Sequence, residues 1–317
     1  MRKISRLWIA TLFLVTASAW AQFPTKPVTI VVPFPPGGSN DVFARAVGKK
    51  LSDAWKQPVI VDNRPGAGGM IGAAQVSKAA ADGYTLLFVS SSYTTGAAIQ
   101  QLPFDPIAGL MPIASVSKGP MVLTVKNGVA VKNAAELAAL AKSQPGKLNF
   151  GSAGPGSINH FAGELFAQNA GVKMTHVPYK GMGPATADLI GGHIDVLVAS
   201  SPSVMQHVKA EKVKGLGVTS AKPSPLVPGL EPVANGVKGY EVELWWGVLG
   251  PPGLPAAVAN AINSEINRAL ASAEMTEIFA KEGAEPWPQS QAQFAGVVKG
   301  DIERWKNVAK DAGIKAE

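Results

Sequence analysis

Thr29-Ile30-Val31-Val32-Pro33-Phe34-Pro35-Pro36-Gly37-Gly38-Ser39-Asn40-Asp41 is the stretch that decides the fold. Thr29 to Phe34 is a short β-branched run that reads as a buried strand. The Pro-Pro-Gly-Gly that follows punctuates it, because neither residue type continues regular structure easily. Val42 to Leu51 then runs at helical periodicity. Working outward, Pro58 to Asp62 reads as a second strand, Gly66, Gly68 and Gly69 as a turn, and the segment through Ala80 as a helix. An Asp82-Gly83 turn leads into the strand Tyr84 to Val89, which ends in Ser90-Ser91-Ser92. Strands alternating with helices through short Gly-rich connections argue for parallel α/β architecture.

The pattern recurs further along the chain. Leu148 to Ser152 reads as a strand, Ala153 to Asn159 as a Gly-rich turn, and His160 to Ala170 as a helix. Met174 to Pro178, the turn Tyr179-Lys180-Gly181, a helix to Ile190 and the strand Asp195 to Ala199 follow, ending in Ser200-Ser201. Gly38-Ser39 matches Gly156-Ser157, and Val89-Ser90-Ser91 matches Ala199-Ser200-Ser201. Two α/β lobes of similar design with a cleft between them are the simplest reading. Any two βαβ units look partly alike, which is the competing explanation. Met121 to Val125 reads as a strand entering the second lobe, Leu216 to Thr219 as its last strand, and Trp245 to Leu249 as a return strand. The expected division is residues 22–120 with 243–317 in lobe 1 and 121–242 in lobe 2. A chain that crosses twice makes a hinge. Ser290 is the expected cap of a final helix, Gln291 to Ala312, with Phe294, Val297, Val298, Ile302 and Trp305 on one face.

Composition narrows the chemistry. The chain has 317 residues, 46% of them hydrophobic and 16% charged, with no cysteine. Disorder, a disulfide framework, thiolate zinc sites, iron–sulfur clusters and a cysteine nucleophile are thereby excluded. The formal charge of +7 is partly an address. Arg2, Lys3 and Arg6, the apolar run Leu7 to Ala17 and Ala19-Trp20-Ala21 have the layout of a secretory signal over residues 1–21. Cleavage is expected after Ala21; an uncleaved membrane anchor is the other reading. Without the signal's three basic residues the charge is +4, dispersed rather than clustered, which argues against nucleic acid. The mature protein is expected to be an exported, soluble monomer.

The Gly-rich turns are the features that can carry function. Unpaired amides at a helix start bind anions without a cation, and glycine lets backbone approach a ligand closely. In open α/β sheets the crevice lies beyond the carboxyl ends of the strands. Ser39, Asn40, Ser157, Asn159 and the segment Ser90 to Thr95 either offer hydrogen bonds to a ligand there or serve as ordinary N-caps and turn residues. Dinucleotide binding fits poorly: Gly66 to Gly72 is one residue too long for GxGxxG, and there is no Walker A lysine motif. No GxSxG elbow is present. Ser115-Val116-Ser117-Lys118 matches SxxK without companion motifs. The four histidines have no zincin-like spacing, and no poised carboxylate pair is visible. Binding groups are present without a catalytic set.

Six stretches taken in order carry a family resemblance: Phe34–Arg45, Asp62–Leu87, Pro112–Val116, Phe150–Phe166, His176–Val196 and Trp246–Pro255. Together they resemble the Bug-type periplasmic solute-binding receptors of tripartite tricarboxylate transporters. The match departs at Ala108-Gly109-Leu110, where the family carries a charged or polar residue. The resemblance implies a two-lobed type II periplasmic binding-protein fold, each lobe a mostly parallel sheet flanked by helices, joined by a double-crossover hinge. It implies a receptor, not an enzyme, that captures a small carboxylate (a di- or tricarboxylate, an acidic amino acid or an aromatic acid) and delivers it to two membrane subunits. No metal and no cofactor is expected. A sensor role, presenting the loaded receptor to a signalling partner, is the alternative, and an exported enzyme on the same scaffold a further one. The implied ligand-binding residues are Phe34, Gly37, Gly38, Ser39, Asn40 and Asp41 on the first loop. Ser152, Gly156, Ser157, Ile158 and Asn159 are their counterparts on its echo. Ser91, Ser92 and Thr94 follow the third strand, Tyr179 and Gly181 form a turn, and Ser200 ends the echoing strand. Asp41 fits helix support better than ligand contact, and Arg45 and Arg64 fit structural salt bridges. A β-branched residue at Gly38 or Gly156 is expected to block binding while the fold survives.

Overall fold

The computed structural model describes residues 23–315. The expected signal peptide and its cleavage after Ala21 lie outside them. The chain begins with β1 (Val28–Val32), α1 (Ser39–Trp55), β2 (Val59–Asn63), α2 (Met70–Val76), β3 (Thr85–Ser90) and α3 (Ser92–Ile99). The 16-residue β4 (Met111–Lys126) follows. Next come α4 (Ala134–Ser143), β5 (Asn149–Ser152), α5 (Ile158–Ala170), β6 (Thr175–Pro178), α6 (Met182–Gly191), β7 (Val196–Ser200), α7 (Ser201–Lys209) and β8 (Val213–Val218). The chain then returns through β9 (Glu243–Gly250), α8 (Ala256–Leu270), α9 (Ala273–Lys281), β10 (Glu285–Pro286) and α10 (Gln291–Ala312).

Strand pairing divides β4 in two. Its first part, Met111 to Pro120, pairs antiparallel with β9, and Met121 to Lys126 pairs with β7 and β8. The first sheet runs β2-β1-β3-β9-β4, with β10 on the far side of β4; the second runs β6-β5-β7-β4-β8. Each sheet therefore has a parallel three-strand core, with β1 between β2 and β3 and β5 between β6 and β7. The antiparallel members are the strands that cross or return. Parallel β-sheet architecture is thus expressed in the cores, and the double crossover adds the opposite direction.

Helices cover both faces of each sheet, which is why the strands are apolar on both sides. In the first unit, Phe43, Val47 and Leu51 of α1 pack with Ile262 and Ile266 of α8 and Phe279 of α9 on one face. Met70 of α2, Tyr93 of α3 and Phe294 of α10 cover the other. In the second unit, Leu137 of α4 and Phe161 of α5 lie on one face, and Leu189 of α6 and Val204 of α7 on the other. Helix α10 begins as its sequence says: the Ser290 side chain accepts from the Gln293 amide while Gln293 reaches back to Ser290, a capping box. It then passes from one core to the other. Phe294, Val298 and Ile302 belong to the first unit, whereas Trp305, Val308 and Ala309 belong to the core of the second.

Candidate functional site

The two units meet where the parallel strands end, and a cavity of about 330 Å³ lies there. Phe34, Gly68, Ser92, Gly96 and Gln100 line it from the first unit, and Ala153, Pro155, Gly156, Ser157, Asn159 and Gly181 from the second. Its volume falls at the lower end of the range typical of small-molecule sites. Among the described residues no lysine or arginine lines it.

The second Gly-rich loop is built around α5. Ser157 caps the helix by accepting from the His160 amide and donates its hydroxyl to the Gly154 carbonyl at 2.7 Å. Gly156 has φ +75°, a left-handed conformation that favours glycine, and its amide donates to His160 Nδ1 at 3.3 Å. His160 stacks on His176 with centroids 3.7 Å apart. His176 Nε2 lies 2.7 Å from Ser152 Oγ, whose partners also include Gly154. Burial, then the neighbouring His160, pushes the His176 pKa down to about 4. These two stacked rings thus support the loop from behind. At the start of α5 the amides of Ile158 and Asn159 have no acceptor within the helix, and they sit on the loop that lines the cavity.

The first loop has the same construction with different chemistry. Gly37 has φ +92° and donates its amide to Asp41 Oδ2 at 3.1 Å. Asp41 Oδ1 also accepts from Asn63 Nδ2 at 3.0 Å and pairs with Arg45 at 2.8 Å. Burial alone raises the Asp41 pKa, but the hydrogen bonds from Arg45, Asn63 and Gly37 and the guanidinium charge together hold it below the usual carboxylate range. Asp41 and Arg45 are therefore a structural pair, and Arg64 pairs with Asp62 at 2.8 Å.

Six of the expected ligand residues line the cavity: Phe34, Ser92, Gly156, Ser157, Asn159 and Gly181. The others stand elsewhere, for identifiable reasons. Gly37 and Gly38 are exposed beyond Phe34, because Asp41 draws the loop onto α1. Ser39 donates to Glu282 at 2.6 Å, at the end of α9. The Ile158 side chain points into the core of the second unit, as its apolar character dictates. Thr94 is fully buried and donates to the Ser91 carbonyl at 2.8 Å. Ser152 serves His176, and Ser200 is hydrogen-bonded to Ser203 at 2.8 Å. Tyr179 donates to Asp188 at 2.6 Å, and burial, then that hydrogen bond and charge, push its pKa up to about 12. Asn40 Oδ1 and Ser91 Oγ are buried without a hydrogen-bond partner among the described residues. Five wall residues were not expected: Gly68, Gly96, Gln100, Ala153 and Pro155. Three of the first unit's wall residues had a legible signal, because Ser92, Gly96 and Gln100 are spaced four apart, which places them on one side of α3.

Two α/β units joined by crossing strands, with a cavity between strand ends lined by glycines and a few uncharged polar side chains, define a bilobal solute-binding receptor. The chain belongs to the tripartite tricarboxylate transporter family receptors, whose family model matches residues 43–314. It is 34% identical over 313 residues to protein BugT of Bordetella pertussis, covering 98% of this chain and 96% of that protein. Among solved structures, R. palustris Rpa4515 with adipate superposes with TM-score 0.80 at 34% identity, covering 92% of this chain and 99% of that one. MatC (Rpa3494) from Rhodopseudomonas palustris with bound malate gives 0.76 at 30% identity, covering 90% and 99%. The expected class, a binding receptor with the two-lobed fold and no enzyme activity, stands.

Proposed function

We propose that this receptor captures a small carboxylate between its lobes in the periplasm, after export by the signal at residues 1–21, and presents it to a two-subunit membrane transporter. The observation that carries this reading is the cavity wall: turns and helix starts from both lobes converge on a space that, among the described residues, no lysine or arginine lines. Backbone amides and neutral side chains bind a carboxylate through charge-assisted hydrogen bonds, and the α5 dipole favours an anion at its N-terminus. That two similar receptors were solved with adipate and with malate supports a dicarboxylate. Among the described residues no helix is long and apolar enough to cross a membrane. A ligand drives closure only by binding the closed form better.

The test is thermal denaturation of residues 22–317 against mono-, di- and tricarboxylates, acidic amino acids and aromatic acids. A ligand at a hundred times its dissociation constant adds about 2.7 kcal/mol of stability, so at least one carboxylate is expected to raise Tm clearly and to be recovered unchanged. A panel without any shift, or chemical conversion of the bound acid, refutes the reading. Loss of uptake on deletion of the gene is the expected result for the transport role.

A further inference from the structure

Among the described residues Gln100 is the one long polar side chain in the cavity wall, and its amide sits in a prepared place. It caps the C-terminal end of α3, and its Nε2 lies against two glycines. A Cβ at Gly68 would stand 3.4 Å from that nitrogen, and a Cβ at Gly96 3.6 Å from it. Larger residues at either position would crowd the amide, and at Gly96 a Cβ would also meet Met70 Cε at 3.0 Å. The amide's one hydrogen bond is to the Ala67 carbonyl, at 3.5 Å, the outer limit for such a bond. An amide carries two donors and an acceptor, so most of its capacity remains for something in the cavity. Ser92 lies on the same side of α3, eight residues earlier. At about 1.5 Å of rise per residue the two Cα atoms are about 12 Å apart along the helix, with Gly96 between them on the cavity wall.

We infer that Gln100 reads the far end of the ligand, donating Nε2–H to a second carboxylate while the first is held near Ser92 and the α5 start. The receptor thereby selects α,ω-dicarboxylates over monocarboxylates of equal chain length. This rests on the carboxylate-receptor reading above. With no lysine or arginine in the wall among the described residues, a neutral amide is the longest-reaching donor offered to that second charge. A hydrogen bond to a charged group accounts for about a tenfold change in affinity.

Calorimetric titration of succinate, adipate and suberate, each against the monocarboxylate of equal length, tests this in wild type and in Gln100→Met, Gln100→Glu and Gln100→Lys. Wild type is expected to prefer a dicarboxylate. Gln100→Met, which keeps the shape, should weaken that dicarboxylate about tenfold and leave its monocarboxylate partner within about twofold. Gln100→Glu should weaken it further, and Gln100→Lys should strengthen it, a pair of opposite signs that mere packing does not produce. Parallel losses for both ligand types, or dicarboxylate binding indifferent to all three substitutions, overturn the inference while leaving the receptor reading intact. Wild type that binds only monocarboxylates also overturns it alone; wild type that binds no carboxylate removes both.

Discussion

At the scale of single residues, the two Gly-rich loops share a clasp. In each, a left-handed glycine donates its amide to the side chain four residues on: Gly37 to Asp41 and Gly156 to His160. The residue between glycine and helix is Gly38 in one and Ser157 in the other. Matching the loops by identity, Gly38-Ser39 with Gly156-Ser157, is therefore one residue out of step with the geometry. The consequence is that the glycines are not equivalent. Gly38 has φ −86° with no atom within 4 Å of a Cβ, so Gly38→Val should change stability by less than about 0.5 kcal/mol. Gly156 has φ +75°, and a Cβ there would lie 2.7 Å from Ile99 Cδ1 of the other lobe. Gly156→Val should lose about 1–3 kcal/mol in urea denaturation, against the sequence expectation that either variant folds normally.

Asp41 of the first clasp and His176, stacked behind the second, also predict how stability depends on pH. Asp41 has a lowered pKa in the folded state, so its contribution is present at neutral pH and is lost as pH falls through that value. Asp41→Asn should be less stable by about 1–2 kcal/mol at pH 7 and show a shallower acid loss. His176 is a base held neutral: the unfolded chain takes up its proton near pH 6.5, and the folded one only near 4. The unfolded state binds more protons between these values, so folding stability falls as pH drops from about 6.5 toward about 4. His176→Gln should flatten that part of the stability profile in urea titrations; an unchanged slope would show that the ring is solvated in the folded protein.

At the scale of elements, most of what mattered was legible. The strand-turn-helix units and the capped α10 could be read from periodicity and punctuation, because those signals are local. β4 was legible only in part: Met121 to Val125 reads as a strand, but a 16-residue strand serving two sheets does not follow from local propensity. Its passage relies on Gly119, where a Cβ would collide with the Gly283 carbonyl. Helix α10 likewise shows one apolar face in sequence, yet that face is shared between two cores. Trp305, 2% exposed, meets Phe161 of the second unit at 5.5 Å between centroids. Trp305→Ala should cost about 3–5 kcal/mol, measured by denaturation, and should weaken the second unit although the residue lies in the C-terminal segment assigned to the first.

At the scale of the whole molecule, the paired crossings at Pro120–Met121 and Val242–Glu243 lie side by side, since Pro120 pairs with Glu243. Two adjacent strands bend together, which suits rigid-body closure of the lobes. Small-angle scattering should therefore show a smaller radius of gyration for the loaded receptor than for the free one; identical curves would mean that the cleft does not close on its ligand. The sequence by itself determined the α/β units, their duplication, the glycine-rich turns at strand ends and the exclusion of thiol chemistry, because each is written in contiguous residues. Tertiary structure alone decided which of those turns form the wall. Ser39 turns to Glu282, 243 residues away, and Ser152 to His176, 24 residues away, while Gln100 is brought between Gly68 and Gly96. Hydrogen-bond partners are chosen by proximity in space, and proximity across two lobes is not encoded in any local pattern.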